Sequence, residues 1–182
     1  MKLSKFKALI YFTSLTFTSM TLLADLPQSK NDWQDHGVVL TGGGPGSWDV
    51  RFDGAISPSA SIKKNGIYYL YYIGADGNRS TDGGPRHRAM GVATSTDGIN
   101  FTKFSGNPIL TYLPHNNEEE GLFSAAVTLD DNGDFVMYYG VCEAGNSTSQ
   151  SVACSGRLAT STDGLNFTDK GTVLNSKDSS LW

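Results

Sequence analysis

The chain of 182 residues is 38% apolar and 18% charged, the balance of an ordinary globular protein, which argues against a disordered or fibrous chain. Its net charge of −4 comes without any basic block or stripe, so nucleic acid is not an expected partner. Gly is abundant at 21 residues and long Leu/Ala/Glu/Lys runs are absent, a mix that favours strands and tight turns over helices.

Residues 1–24 read as a secretory signal. Lys2, Lys5 and Lys7 make the basic start, Ala8 to Leu23 the apolar stretch, and Ala24 offers a small residue for cleavage before Asp25. A membrane anchor is the rival reading, but the stretch is short and rich in Thr and Ser, where a span wants roughly 20 apolar residues. No Cys follows it, so a lipid anchor of the lipoprotein type is not supported. The expectation is a secreted or periplasmic protein with no membrane contact once the signal is removed. Losing the three lysines takes the charge from −4 to −7.

Residues 25–47 form an irregular lead-in, because Thr41-Gly42-Gly43-Gly44-Pro45-Gly46-Ser47 is too Gly-rich for a helix or a central strand. A phosphate-cradling loop is not supported, since no Gly-Lys-Ser/Thr follows it and no helix opens after it. From Trp48 a first unit begins. Ala55 to Ile62 reads as a strand, Lys63-Lys64-Asn65-Gly66 as a hairpin turn, and Ile67 to Ile73 as a strand buried on both faces. A polar loop, Ala75 to Arg86, leads to a third strand over about Ala89 to Ser95. Thr96-Asp97-Gly98 turns the chain, and Phe101 to Phe104 starts a short fourth strand.

Then the plan returns. Ala93-Thr94-Ser95-Thr96-Asp97-Gly98-Ile99-Asn100-Phe101-Thr102 recurs 66 positions later as Ala159-Thr160-Ser161-Thr162-Asp163-Gly164-Leu165-Asn166-Phe167-Thr168. Tyr71-Tyr72 recurs as Tyr138-Tyr139, Lys64-Asn65-Gly66 as Asp131-Asn132-Gly133, and Asp53 to Ser57 is echoed by Glu120 to Ser124, each 67 positions on. The second unit has strands over Leu122 to Leu129, Phe135 to Val141, Arg157 to Ser161 and Phe167 to Leu174. A tandem four-stranded meander at this spacing is what a β-propeller is built from, one blade per repeat, whereas a sandwich has no reason to repeat its sequence. The expected fold is therefore all-β, a propeller of four-stranded blades. Blade one covers about residues 48–114 and blade two about 115–175, with residues 176–182 starting a third. Even four blades at this spacing would exceed the 158 residues left after the signal, so the 182-residue chain is expected to be an incomplete propeller domain (48–182), marginally stable or prone to aggregate when expressed alone.

In a propeller the first strand of each blade lines a central channel, and the residues before those strands converge on one funnel. Here these include Asp53 in unit one, with Trp48 and Asp49 close by, and Glu120 in unit two. Two carboxylates brought together from successive blades suit glycoside hydrolysis, one acting on water or the sugar carbon and the other protonating the leaving oxygen. A carboxylate before a strand is also a common solvated turn residue. What raises Asp53 and Glu120 is their equivalence in the repeat and the neighbouring Trp48 and Phe123, whose rings could stack on a sugar; Trp48 could equally be a core plug. His87, between Arg86 and Arg88, could bind a sugar acid or hydroxyl, or simply sit on a solvated loop. No residues have transition-metal spacing, no cofactor is expected, and the Ca²⁺ that some propeller glycosidases hold in the channel is not indicated. Cys142 and Cys154, the only cysteines, are expected to pair as a disulfide in an oxidising compartment. Asn78, Asn100, Asn146 and Asn166 begin glycosylation triplets and read as turn residues.

Trp48-Asp49 and Asp53 to Ser59, Tyr68 to Gly74, and Gly91 to Ser95 with Asp97-Gly98 together resemble the five-bladed propeller glycosidases. These are the related families 32, 43, 62, 68, 117 and 130, acting on arabinosides, xylosides, fructosides, agar-derived sugars and mannosides. The resemblance implies a catalytic Asp at the start of blade one, a further carboxylate in blade two and a catalytic Glu in blade three. Asp53 matches the first position with Asp49 as rival, and Glu120 the second, where family 43 usually places an Asp. The Trp-Met-Asn-Asp-Pro-Asn signature of family 32 is absent, so an inverting, family 43-like hydrolase of plant or algal carbohydrate is preferred over a retaining fructosidase. With the acid on a third blade, this chain by itself is expected to be inactive. A sialidase-type propeller, whose Ser-x-Asp-x-Gly-x-x-Trp box resembles Ser95 to Phe101, and a non-catalytic carbohydrate-binding propeller are the alternatives.

Overall fold

The computed structural model describes residues 33–50, 56–75, 88–111, 121–143 and 153–175, and within them the regular structure is entirely strand and turn. The first sheet contains β1 (Ser57–Lys64), β2 (Ile67–Ala75), β3 (Arg88–Ser95) and two short pieces, β4 (Thr102–Lys103) and β5 (Leu110–Thr111), that both pair with β3. The second sheet is a plain meander of β6 (Leu122–Leu129), β7 (Phe135–Glu143), β8 (Ala153–Ser161) and β9 (Thr168–Asn175). Every pairing is antiparallel. The fold is all-β, in four-stranded sheets repeated along the chain.

The fourth strand of unit one departs from expectation. It is split because Asn107 turns its side chain into the ladder. Its Oδ1 accepts from the Val92 N–H at 2.9 Å and its Nδ2 donates to the Val92 carbonyl at 2.9 Å, so a side-chain amide stands in for a backbone one. Other strand ends move by at most four residues, as where β8 starts at Ala153 rather than Arg157.

The same Asn-Gly pair makes two different hairpins. In unit one Asn65 and Gly66 both have positive φ, 51° and 82°, and form a two-residue turn closed by Lys64 and Ile67. In unit two only Gly133 does, at 83°, and the loop takes three residues, with Gly133 N–H donating to the Asp130 carbonyl at 2.9 Å. Equivalent residues are equally spaced in both units, so the residue spared by the shorter loop must be absorbed elsewhere. It appears as a bulge between Pro58 and Ala60. The bulged residue, Ser59, reaches the second sheet, where its Oγ accepts from the Ala125 N–H at 2.5 Å and donates to the Ala125 carbonyl at 3.3 Å.

Side-chain alternation decides how the sheets meet. One core joins Tyr71, Ile73, Met90 and Val92 of the first sheet to Leu122, Met137, Tyr139, Val141 and Ala159 of the second. Tyr139 is the counterpart of Tyr72, not of Tyr71, and successive strand residues point to opposite faces. One face of the first sheet therefore packs on the opposite face of the second. A sandwich of related sheets would bring like faces together; stacking like on unlike is how successive blades follow one another around a propeller. The consequence is visible in one pair. Tyr71 is fully buried, while Tyr138 at the equivalent place in unit two is 51% exposed.

Cys142 near the end of β7 and Cys154 near the start of β8 are directly opposed in register and joined as a disulfide, with Cα atoms 4.0 Å apart. This closes the hairpin within unit two.

Candidate functional site

A small open pocket of about 140 Å³ lies between the sheets at the end where β1 and β6 begin. Ser57, Ile73, Gly74, Ala75, Arg88, Leu122 and Phe123 line it. Three strand ends of the first sheet and one of the second thus converge here. Arg88 sits over the ring of Phe123, its guanidinium carbon 4.3 Å from the centroid, and Phe123 stays 43% exposed. A cation laid on an aromatic face beside polar Ser57 offers both a stacking surface and hydrogen-bond donors. The approach is close because Gly121 carries no side chain: a Cβ there would lie 2.8 Å from that of Arg88.

Asp53, Glu120 and His87 lie outside the described residues. In sequence Asp53 comes four positions before Ser57, Glu120 two before Leu122, and His87 directly before Arg88. The expected facing of Asp53 and Glu120 across one funnel therefore rests on the chain order alone.

Asp49 and Trp48 are placed elsewhere. Both lie on the face of the first sheet opposite the pocket, against Tyr72, Gly74 and Gly91. Trp48 stacks on Tyr72 with centroids 5.7 Å apart. A Cβ at Gly74 would meet Asp49 at 2.5 Å and Trp48 at 2.7 Å, and one at Gly91 would meet Trp48 at 2.8 Å, so both glycines are needed for this approach. Asp49 is 1% exposed. Its Oδ1 accepts from Gly43 N–H at 3.1 Å and Ser47 Oγ at 2.5 Å, and its Oδ2 accepts from Tyr72 at 3.3 Å and Lys103 at 2.5 Å. Burial works to raise its pKa, but the Lys103 and Ser47 hydrogen bonds, the Lys103 charge and the Gly43 N–H outweigh it, and the carboxyl is held below its ordinary value. The network pins the Gly-rich lead-in to the sheet. Trp48 and Phe123 do not form one platform.

The second sheet satisfies the same place differently. Val141 and Arg157 stand at the positions of Gly74 and Gly91, and Asp169 at that of Lys103. The Arg157 guanidinium bonds the Tyr139 hydroxyl at 3.2 Å, Thr172 at 3.3 Å and the Asp169 carboxylate. Burial opposes ionisation of Asp169, but the Arg157 bond prevails and holds it low. Each sheet thus has an ion pair beside its buried tyrosine, with the polarity of the fourth-strand residue reversed. Lys103 and Asn107 escaped the sequence reading; the mismatch of Gly91 with Arg157 and of Lys103 with Asp169 inside so regular a repeat was the available signal.

The repeated Ser-Thr-Asp-Gly stretch proves to be a self-contained turn. Asp97 Oδ1 accepts from the N–H groups of Ile99 and Asn100, each at 2.8 Å, and from Ser95 Oγ at 2.7 Å; its Oδ2 accepts from Asn100 Nδ2 at 2.7 Å. Asp163 repeats the pattern with Leu165, Asn166 and Ser161. The Asn100 and Asn166 N–H bonds lead the interactions that keep these carboxyls ionised well below their usual range. The amides of Asn100 and Asn166 are likewise engaged within the turn, in keeping with the turn role read for them. In unit two the turn also clasps the first sheet: Tyr71 donates to the Gly164 carbonyl at 2.9 Å, and Phe167 meets the Tyr71 ring edge-on at 5.8 Å. Among the described residues no cluster of His, Cys, Asp or Glu is suited to a metal ion, and no helix is long and apolar enough to cross a membrane.

No protein-family model matches the chain, and no curated protein does. Solved structures do. A family 32 β-fructofuranosidase of Bombyx mori, in a mutant bound to sucrose, is similar over 67% of this chain and 24% of its own, at 20% identity and a TM-score of 0.50. A candidate glycoside hydrolase of Parabacteroides distasonis is similar over 74% of this chain and 39% of its own, at 22% identity and a TM-score of 0.52. A candidate glycosidase of Bacteroides thetaiotaomicron covers the same shares at 19% identity and a TM-score of 0.50. The chain spans between a quarter and two fifths of the length of these structures. At such identities the likeness is one of fold alone.

Proposed function

We propose that this chain supplies two blades of an exported glycoside hydrolase of the five-bladed propeller type, acting on plant or algal poly- or oligosaccharides. The observation that supports this most is the pocket at the starting ends of β1 and β6, which are the strands that follow Asp53 and Glu120 in sequence. Asp53 is the blade-one carboxylate of the reading and Glu120 the blade-two carboxylate. Asp49, saturated by Lys103, Ser47, Tyr72 and Gly43 on the face of the sheet opposite the pocket, suits anchoring better than proton transfer. Phe123 and Arg88 would hold the sugar, and His87, which directly precedes Arg88 in sequence, is the further binding residue of the reading. Inversion follows if two carboxyls stand far enough apart to admit a water, one as base and the other, on a further blade, as acid.

The test is hydrolysis of aryl arabinosides, aryl xylosides and fructans by a longer protein containing this sequence. Asp53→Asn is expected to lower turnover on the order of 10³-fold while sugar binding persists. Unchanged turnover in that variant would overturn the assignment.

A further inference from the structure

We infer that the pocket between the sheets selects an acidic sugar, a uronic acid residue whose carboxylate is gripped by Arg88. This names the substrate class of the proposed site and so rests on the carbohydrate reading of that site. Both sheets contribute lining residues, so the pocket is formed by their mutual contact.

Strand register gives the layout. Ser57 pairs with Ile73 and Arg88 with Ala75, on the two strands that flank the end of β2. The two polar residues thus start two strand spacings apart, about 10 Å, with Ile73, Gly74 and Ala75 running between them. A space of about 140 Å³ suits one sugar ring rather than a longer segment. A ring lying across it presents one end to Ser57 and the other to Arg88 and Phe123.

Charge decides which ring. Among the described lining residues Arg88 alone is charged. Its guanidinium is held over the Phe123 ring by attraction to the aromatic face, which uses none of its five N–H donors. Two parallel N–H groups match the two oxygens of a carboxylate, and five donors allow that grip beside the other interactions Arg88 makes in the chain. The chain carries a net charge of −4, and the proposed site includes the carboxylates of Asp53 and Glu120. An anionic sugar is repelled by such a site unless a fixed cation meets it, and Arg88 is that cation. The repeat shows that strand pairing does not call for arginine here. Position 88 corresponds to Cys154, which pairs with Cys142 as Arg88 pairs with Ala75.

The test is calorimetric titration of a longer protein containing this sequence. The probes are D-galacturonate and D-glucuronate, their methyl esters, which keep the shape and lose the charge, and galactose 6-sulfate. At least one acid is expected to bind at least about tenfold more tightly than its ester, and the ratio should shrink as salt is raised. In Arg88→Gln the ratio should fall towards one, and Arg88→Lys, which keeps the charge and loses the fork, should retain only part of it. Equal affinity for acid and ester in the parent, or no binding of either, overturns the inference without recourse to a variant. A full ratio in Arg88→Gln puts the carboxylate elsewhere, and tighter binding of the sulfate than of either acid assigns the pocket to sulfated sugars; both results count against it. Hydrolysis separates this inference from the function it rests on. Turnover of neutral aryl glycosides with no preference for aryl uronides rejects the acidic substrate and leaves a glycosidase. Acid-selective binding that depends on Arg88, without turnover of any glycoside, keeps the role of Arg88 and rejects the enzyme.

Discussion

Asp49 is a carboxylate 1% exposed that accepts four hydrogen bonds, one of them from Lys103. Its folded-state pKa is depressed, so its contribution to stability is fully present above the unfolded value near 4 and is lost as pH falls through the folded value. Lys103→Met leaves the carboxylate buried without its cation. The expected cost at neutral pH is on the order of 3 kcal/mol, near the lower end for a buried pair because the Lys103 side chain keeps 31% of its surface in water. Without Lys103 only the Ser47 and Gly43 hydrogen bonds oppose burial, so the carboxyl is lowered less than in the parent and the stability gap should narrow below about pH 4. Denaturant midpoints measured across that range check it, and a gap that widens on acidification contradicts the network. The two equivalent tyrosines make a second contrast. Tyr71→Phe strips the Gly164 carbonyl of its donor inside the interface and should cost about 1–2 kcal/mol. Tyr138→Phe, at an exposed site, should be within about 0.5 kcal/mol of the parent. Equal effects from thermal melts of both variants would mean that the two positions are not differently packed.

At the scale of elements, the β7–β8 hairpin differs from the β2–β3 hairpin by its covalent tie. Cys142 and Cys154 occupy the positions of Ala75 and Arg88, so the second sheet is cross-linked where the first contributes Arg88 to the pocket. With the cysteines 12 positions apart, replacing both by Ala should destabilise the chain by about 2–3 kcal/mol. Chemical denaturation of the double variant measures it directly, and a loss near zero would show that the register pairing of β7 and β8 needs no tie. The hairpins also show how one bulge trades against one loop residue. Ser59, extruded by the tighter Asn65-Gly66 turn, becomes a link to Ala125 in the next sheet.

For the molecule as a whole, the stacking of unlike faces buries Tyr71 and leaves its counterpart Tyr138 at the surface. Tyr138, Val173 and Leu174 on the second sheet remain exposed. A folded chain with such a face should bind an apolar dye such as ANS under native conditions, and Tyr138→Arg with Leu174→Lys should reduce the signal by more than half while leaving the far-UV spectrum unchanged. Dye binding that persists in that double variant would place the exposed apolar surface elsewhere.

Strand order and the two-unit plan were readable from the recurrence of Tyr-Tyr, Asn-Gly and Ser-Thr-Asp-Gly, because alternation and turn chemistry are local properties. The disulfide was readable as well, there being only one possible pair. The split of the fourth strand was not, since it depends on an Asn107 side chain finding the Val92 backbone fifteen residues back. Nor was the role of Asp49: before Tyr72, Lys103 and Ser47 are gathered around it, a carboxylate ahead of a strand looks equally like an acid and an anchor. The sequence by itself thus determined the repeating sheets and their turns, where each residue answers to near neighbours. Only the tertiary structure decided which face meets which and what Asp49 and Trp48 touch, because those outcomes depend on Gly74 and Gly91 leaving room for groups far away along the chain.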